Sequence, residues 1–138
     1  MVKKFPEINS VVSSLDISDN YILTLPGNAN TRLMIYRLNA GVFEHLQSVD
    51  EGIGNLSTID ITSDGQWIYF VGYLGVGRIY SYNQATKKFE FFRSISKSDD
   101  STSAFSGAIT DDHEWVFLGK NGGKIHVFNF NGTEYNFK

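Results

Sequence analysis

Ile59-Asp60-Ile61-Thr62-Ser63-Asp64-Gly65-Gln66-Trp67-Ile68-Tyr69 is the stretch that decides the fold of this chain. It reads as an apolar strand end, a polar turn, an aromatic, and a second apolar strand. Gly65 can take the positive φ that such a tight turn uses. The same plan stands at Leu15-Asp16-Ile17-Ser18-Asp19-Asn20-Tyr21-Ile22-Leu23 and at Gly107-Ala108-Ile109-Thr110-Asp111-Asp112-His113-Glu114-Trp115-Val116-Phe117. Self-similarity at a fixed period is the mark of a repeat architecture.

Two further blocks recur downstream of each copy. One reads Leu33-Met34-Ile35-Tyr36-Arg37-Leu38-Asn39, then Arg78-Ile79-Tyr80-Ser81-Tyr82-Asn83, then Lys124-Ile125-His126-Val127-Phe128-Asn129. The other is Phe43-Glu44, Phe89-Glu90 and Thr133-Glu134-Tyr135. Tyr21 and Trp67 lie 46 residues apart, as do Phe43 and Phe89, Phe89 and Tyr135, and Ile79 and Ile125. Trp67 and Trp115 are 48 apart, and Ile35 and Ile79 are 44 apart. Several landmarks share one period, so the chain is three tandem units.

Each unit holds four short strands. In the middle unit the expected spans are 56–62, 67–73, 77–83 and 88–95, separated by Ser63–Gln66, Gly72–Gly77 and Asn83–Thr86. No apolar stripe with helical period lasts three turns, whereas period-two alternation is clear. The runs from Trp67 to Val71 and from Trp115 to Leu118 are apolar on both faces, so each should lie between two neighbouring sheets. Asn121-Gly122-Gly123 and Asn131-Gly132 read as tight hairpin turns. The expected organisation is residues 1–10 as an N-terminal strand, 11–54 as a first unit, 55–102 as a second and 103–138 as a third.

Four-stranded units at a spacing of about 40–50 residues resemble β-propeller blades of the WD40 type or the related YVTN/lactonase type. Thr62-Ser63-Asp64-Gly65 resembles the serine–proline–aspartate–glycine turn after the innermost strand. Tyr82-Asn83, Leu38-Asn39 and Phe128-Asn129 (or Phe130-Asn131) stand where WD40 blades carry Trp-Asp, and the third strand fits the lactonase type better. The resemblance covers about residues 11–138 and implies an all-β chain of three antiparallel blades, half of a propeller.

Composition narrows the function. With 41% hydrophobic and 20% charged residues the 138-residue chain is an ordinary globular sequence. A net charge of −3 gives no basic field for nucleic acid or anionic lipid. No apolar run approaches the roughly 18 residues of a membrane helix. Residues Met1–Glu7 lack the apolar stretch of a signal peptide, and the absence of cysteine excludes disulfides and thiolate metal sites. The expected setting is cytoplasmic.

A propeller blade buries both faces only against other blades, and closed rings have about 4–8 of them. Open end faces would exceed the few hundred Å2 a monomer tolerates, costing several to tens of kcal/mol at roughly 25 cal/mol per Å2. Two copies would close a six-bladed ring. The expected partner is therefore a second copy of the chain or another protein, with a fragment of a longer propeller as the competing account. Lys3-Lys4-Phe5-Pro6-Glu7 resembles the outermost strand Lys87-Lys88-Phe89-Glu90 and could serve as a closure strand, Pro6 being tolerated at an edge.

No catalytic constellation is legible. There is no Gly-x-Ser-x-Gly elbow, and Gly72-Tyr73-Leu74-Gly75-Val76-Gly77 opens no helix, so it is no phosphate loop. His45, His113 and His126 are not at metal-ligand spacing, so neither metal nor cofactor is expected. Asp16 and Asp60, equivalent on the innermost strands, are candidates to face a central channel; the third unit has Ala108 there. Asp50-Glu51 and Asp99-Asp100 read as solvated loop charge. Arg32, Tyr73, Arg78 and Lys120 fall in or near equivalent loops and are candidate binding residues. The leading expectation is a non-enzymatic scaffold or assembly subunit; the alternative is a lactonase-like or sugar-processing enzyme using channel carboxylates.

Overall fold

The computed structural model describes residues 12–18, 20–26, 32–97, 99, 100 and 102–138. The expected closure strand at residues 3–7 lies outside them. Among the described residues twelve strands form three separate antiparallel sheets, each a four-strand meander in chain order. The first holds β1 (Val12–Ser18), β2 (Tyr21–Pro26), β3 (Arg32–Asn39) and β4 (Val42–Asp50). The second holds β5 (Leu56–Ile61), β6 (Trp67–Gly72), β7 (Val76–Asn83) and β8 (Lys88–Ile95). The third holds β9 (Ala104–Ile109), β10 (Trp115–Lys120), β11 (Lys124–Phe130) and β12 (Tyr135–Phe137). This is the architecture of three propeller blades, a partial propeller. Among the described residues no helix is long and apolar enough to cross a membrane.

Turn chemistry fixes the register of each blade. In the second blade Thr62 Oγ1 donates to Asp64 and accepts the Trp67 amide, and Gly65 closes the turn at φ +71°. The third blade repeats this with Thr110, Asp112 and Trp115, and His113 stands at φ +55° where Gly65 stands. Ala40-Gly41, both at positive φ, turn β3 into β4 as a two-residue hairpin of mirror-image type. At the outer hairpins Asn83 Oδ1 accepts the amides of Ala85 and Thr86, and Asn131 Oδ1 those of Thr133 and Glu134. Phe130-Asn131, not Phe128-Asn129, therefore matches Tyr82-Asn83.

The apparent match of Arg78-Ile79 to Lys124-Ile125 is corrected in the same way. Gly72 pairs with Val76 and Lys120 with Lys124, so both turns contain three residues and Lys124 answers to Val76. Phe70 faces Arg78 across the ladder as Leu118 faces His126. His126 thus takes the place of Arg78, not of Tyr80, and Val127 that of Ile79.

Two apolar layers lie between the three sheets. The first joins Tyr21, Leu23, Leu33 and Ile35 of blade one to Ile59, Ile68 and Phe70 of blade two. The second joins Tyr69, Val71 and Ile79 of blade two to Ile109, Val116 and Leu118 of blade three. Successive residues of β6 face opposite layers, which is why that strand is apolar throughout.

Candidate functional site

The structure draws its most specific chemistry to the junctions between blades. Asp16 Oδ2 accepts the Ile61 amide of the next blade at 2.8 Å, and Asp60 Oδ2 accepts the Ile109 amide at 2.9 Å. The two sequence-predicted channel carboxylates are thus half-buried clasps, each holding the innermost strand of the following blade. Burial pushes the Asp60 carboxyl up to about 6; the Ile109 amide opposes this, and the neighbouring Asp16 carboxyl adds to it. At the equivalent place in blade three, Ala108 offers no acceptor.

Other contacts repeat alongside the clasps. The Gln47 side chain donates to the Phe89 carbonyl at 2.7 Å and accepts the Phe89 amide at 3.0 Å, tying outermost strands together. Arg93, one blade on, donates to the Thr133 carbonyl at 2.8 Å. The turn of each following blade lies on the aromatic that opens the second strand of the blade before. Gly65 sits against Tyr21, where a Cβ would come within 3.1 Å of the ring, and His113 stacks on Trp67. At the second junction Asp111 also accepts both the amide and the hydroxyl of Ser63, at 2.8 Å each.

In the loops linking blades Asp50 and Asp99 are exposed, in line with the sequence reading, whereas Glu51 and Asp100 are drawn out of water, contrary to it. Glu51 meets Arg78 at 3.3 Å, and Asp100 meets His126 at 3.1 Å, the same contact in successive blades. Asp100 also approaches Lys120 and Lys124, each at 3.4 Å. The Thr102 hydroxyl and amide, then Lys124 and Lys120, hold the Asp100 carboxyl well below the usual carboxylate range. Desolvation, then Lys120, lowers the His126 pKa. These loops fold back over the third strand of the blade they enter, which takes Glu51 and Asp100 out of water.

The four candidate binding residues therefore separate. Lys120 has a fully buried side chain that donates to the Asp100 carbonyl at 2.7 Å, so it is an internal anchor and not an exposed one. Arg78 is half-buried in β7 and committed to Glu51. Arg32 is exposed at the start of β3, opposite Asp50. Tyr73 is exposed in the β6–β7 turn, edge-on to Phe105. Of the histidines, His45 bonds Ser48 Oγ at 2.9 Å, and among the described residues no group of three or more His, Cys, Asp or Glu could hold a metal ion.

One sheet face lacks the cover its equivalents have. In blade two Tyr69, Val71 and Ile79 are fully buried by blade three. Their counterparts in blade three, Phe117, Gly119 and Val127, are only half-buried, and Ile125 is 69% exposed. Between them lies a shallow groove of about 260 Å3 lined by Ser106, Gly107, Ala108, Phe117, Gly119 and Ile125. The sequence hides this face, because Ile125 looks like the buried Ile79 until the turn register is known.

Comparison with known proteins places the fold. No family model matches the chain, and no curated protein matches it. Solved structures do. A Lactobacillus plantarum protein superposes with a TM-score of 0.72 at 15% identity, over 98% of this chain and 42% of its own. A putative 6-phosphogluconolactonase from Bacteroides uniformis gives 0.68 at 14% identity, over 90% and 38%. Saccharomyces cerevisiae Sqt1 gives 0.73 at 8% identity, over 96% and 36%. The structural neighbours are β-propellers, and this chain spans about two fifths of their length.

Proposed function

We infer that this chain is a non-enzymatic propeller module for protein assembly, and that the uncovered face of blade three is its interaction surface. The observation that carries this reading is Ile125. It lies on the face that blade two buries completely in its own copy, yet it is exposed to water. An apolar inter-blade face left open is costly, and another sheet of blade-like character is what its shape and polarity accept.

The enzymatic alternative rested on channel carboxylates. Asp16 and Asp60 are instead occupied with backbone amides, and the likeness to a putative lactonase, at 14% identity, concerns the fold. A second reading has an observation of its own. The chain spans 42% of its Lactobacillus plantarum neighbour, so further blades of a longer polypeptide would cover the same face. Both readings make this face an interface.

Substitution on that face tests the proposal. Ile125→Glu should reduce the assembled mass to that of one chain, as measured by light scattering, while the β-sheet circular dichroism spectrum is kept. An Ile125→Glu chain that assembles like the parent would refute the assignment of this surface.

A further inference from the structure

Two asparagine–glycine pairs stand in turns of blade three, Asn121-Gly122 between β10 and β11 and Asn131-Gly132 between β11 and β12. Such a pair carries a latent reaction. The backbone nitrogen of the glycine can attack the side-chain carbonyl carbon of the asparagine. Glycine, having no Cβ, obstructs that approach least. In sequence the two pairs are alike; in hydrogen bonding they differ.

In the first pair the Gly122 N–H donates to Oδ1 of Asn121 itself at 2.8 Å. This bond folds the side chain back on the main chain and holds the glycine nitrogen beside the carbon it would attack. Gly122 at φ +76° and Gly123 at φ +73° form an exposed turn, and a Cβ placed on either would meet no atom within 4 Å. Water reaches the turn freely, and a ring formed there has room. The Asn121 amide donates to the Ser103 carbonyl at 2.9 Å, which anchors the residue while its side chain stays exposed.

In the second pair Asn131 Oδ1 accepts the amides of Thr133 and Glu134, each at 2.9 Å, and the Asn131 amide donates to the Glu134 carbonyl at 3.0 Å. These bonds carry the side-chain carbonyl forward, past Gly132. Asp64-Gly65 is a third pair capable of the same ring closure, and it is held in a similar way. Asp64 Oδ1 accepts the Thr62 hydroxyl and the Gln66 amide, while the Gly65 amide donates to the Thr62 carbonyl. Of the three pairs, only Asn121 has its side-chain oxygen on the amide of its own glycine.

We propose that Asn121 is a site of spontaneous deamidation, with the Gly122 nitrogen as nucleophile and water as the only co-reactant. The Gly122 nitrogen gives up its proton and bonds to Asn121 Cγ. The Cγ–Nδ2 bond breaks, and Nδ2 leaves as ammonia with that proton. Water then opens the cyclic imide. Attack at the side-chain carbonyl leaves an aspartate, and attack at the main-chain carbonyl leaves an isoaspartate, whose main chain runs through one extra carbon. Either product puts a carboxylate where a neutral amide stood. The turn joins Lys120 to Lys124, and their neighbours Gly119 and Ile125 line the groove of blade three. The new charge therefore stands at the rim of the uncovered face, and the reaction does not depend on that face being an interface.

Ageing the folded chain at mildly alkaline pH tests this, with samples read by peptide mapping and mass spectrometry and isoaspartate detected by enzymatic methylation. The peptide holding Asn121 should convert first, several times faster than the peptide holding Asn131. In urea strong enough to unfold the chain the two rates should draw together, because the difference belongs to the fold. An Asn121 that stays an amide, equal rates in the folded chain, or a rate ratio that urea leaves unchanged would each overturn the proposal. Asn121→Gln, which could close only a larger and slower-forming ring, should keep the β-sheet spectrum and abolish conversion in that peptide. A glutamine variant that converts as fast as the parent would overturn the role given to Gly122.

Discussion

The His113 ring lies stacked on the Trp67 indole, with centroids 3.8 Å apart and planes 22° from parallel. His113 belongs to the turn of blade three and Trp67 to the second strand of blade two, so this one contact joins two units 46 residues apart in sequence. His113 holds φ +55° to reach it, while the Tyr135 hydroxyl donates to its carbonyl at 2.6 Å. His113→Ala removes the ring and keeps the unfavourable φ, and should cost about 1 kcal/mol. His113→Gly relieves the backbone and should cost less. Urea denaturation of the two variants checks the order.

The clasp at Asp60 gives a pH signature. Burial, then the neighbouring Asp16 carboxyl, against the Ile109 amide, raises its pKa from 3.8 to about 6. The folded state therefore binds more protons than the unfolded state across that window. The Asp60 contribution to stability is fullest at the acid end and falls as pH rises through 6. Asp100, Asp111 and Asp112, held low by their hydrogen bonds, act in the opposite sense, losing stabilisation as pH falls. The informative quantity is the difference from Asp60→Asn, which keeps an acceptor for Ile109 but does not titrate. The stability of the variant relative to the parent should rise between pH 4 and 7, measured by urea midpoints. A difference that does not change with pH would show that Asp60 is not buried at the junction.

Gly107 sets how closely blades two and three approach. Its missing Cβ would fall 2.7 Å from Val71 Cγ2, so Gly107→Ala should cost about 1–3 kcal/mol through overpacking. Val71→Ala should recover part of that loss in the double variant, giving a coupling of at least about 0.5 kcal/mol. Independent costs for the two substitutions would mean that the sheets do not touch there.

A substitution far from any junction should stabilise the chain. Ala40 holds φ +47° as the first residue of the Ala40-Gly41 hairpin turn. Asparagine tolerates the left-handed region and alanine does not, so Ala40→Asn should add roughly 1 kcal/mol. Thermal denaturation measures it.

The repeat was legible because its landmarks are local: Gly65, Trp67 and Phe89 mark a turn, a strand start and an outer strand by residue type alone. The middle blade accordingly falls within one or two residues of its expected spans. Register in the third blade was not legible. Lys124-Ile125 imitates Arg78-Ile79, and only the equal length of two turns, a property of backbone pairing, separates them. The roles of Asp16 and Asp60 were half legible. Their apolar neighbours mark them as pointing away from the core, but their partners lie 45 and 49 residues away on another blade. Glu51 and Asp100 escaped for a similar reason, since a loop acid looks solvated until the loop is seen to fold back. Lys120 shows the converse, a charge buried because Asp100 comes to meet it.

The mass of the chain in solution tests most directly whether these blades need a further blade beside them. Light scattering coupled to size exclusion at micromolar concentration should give twice the 15.5 kDa of one chain, with a β-sheet spectrum. A monodisperse, folded particle of 15.5 kDa would contradict the account, because blade three would then be stable with its uncovered apolar face in water.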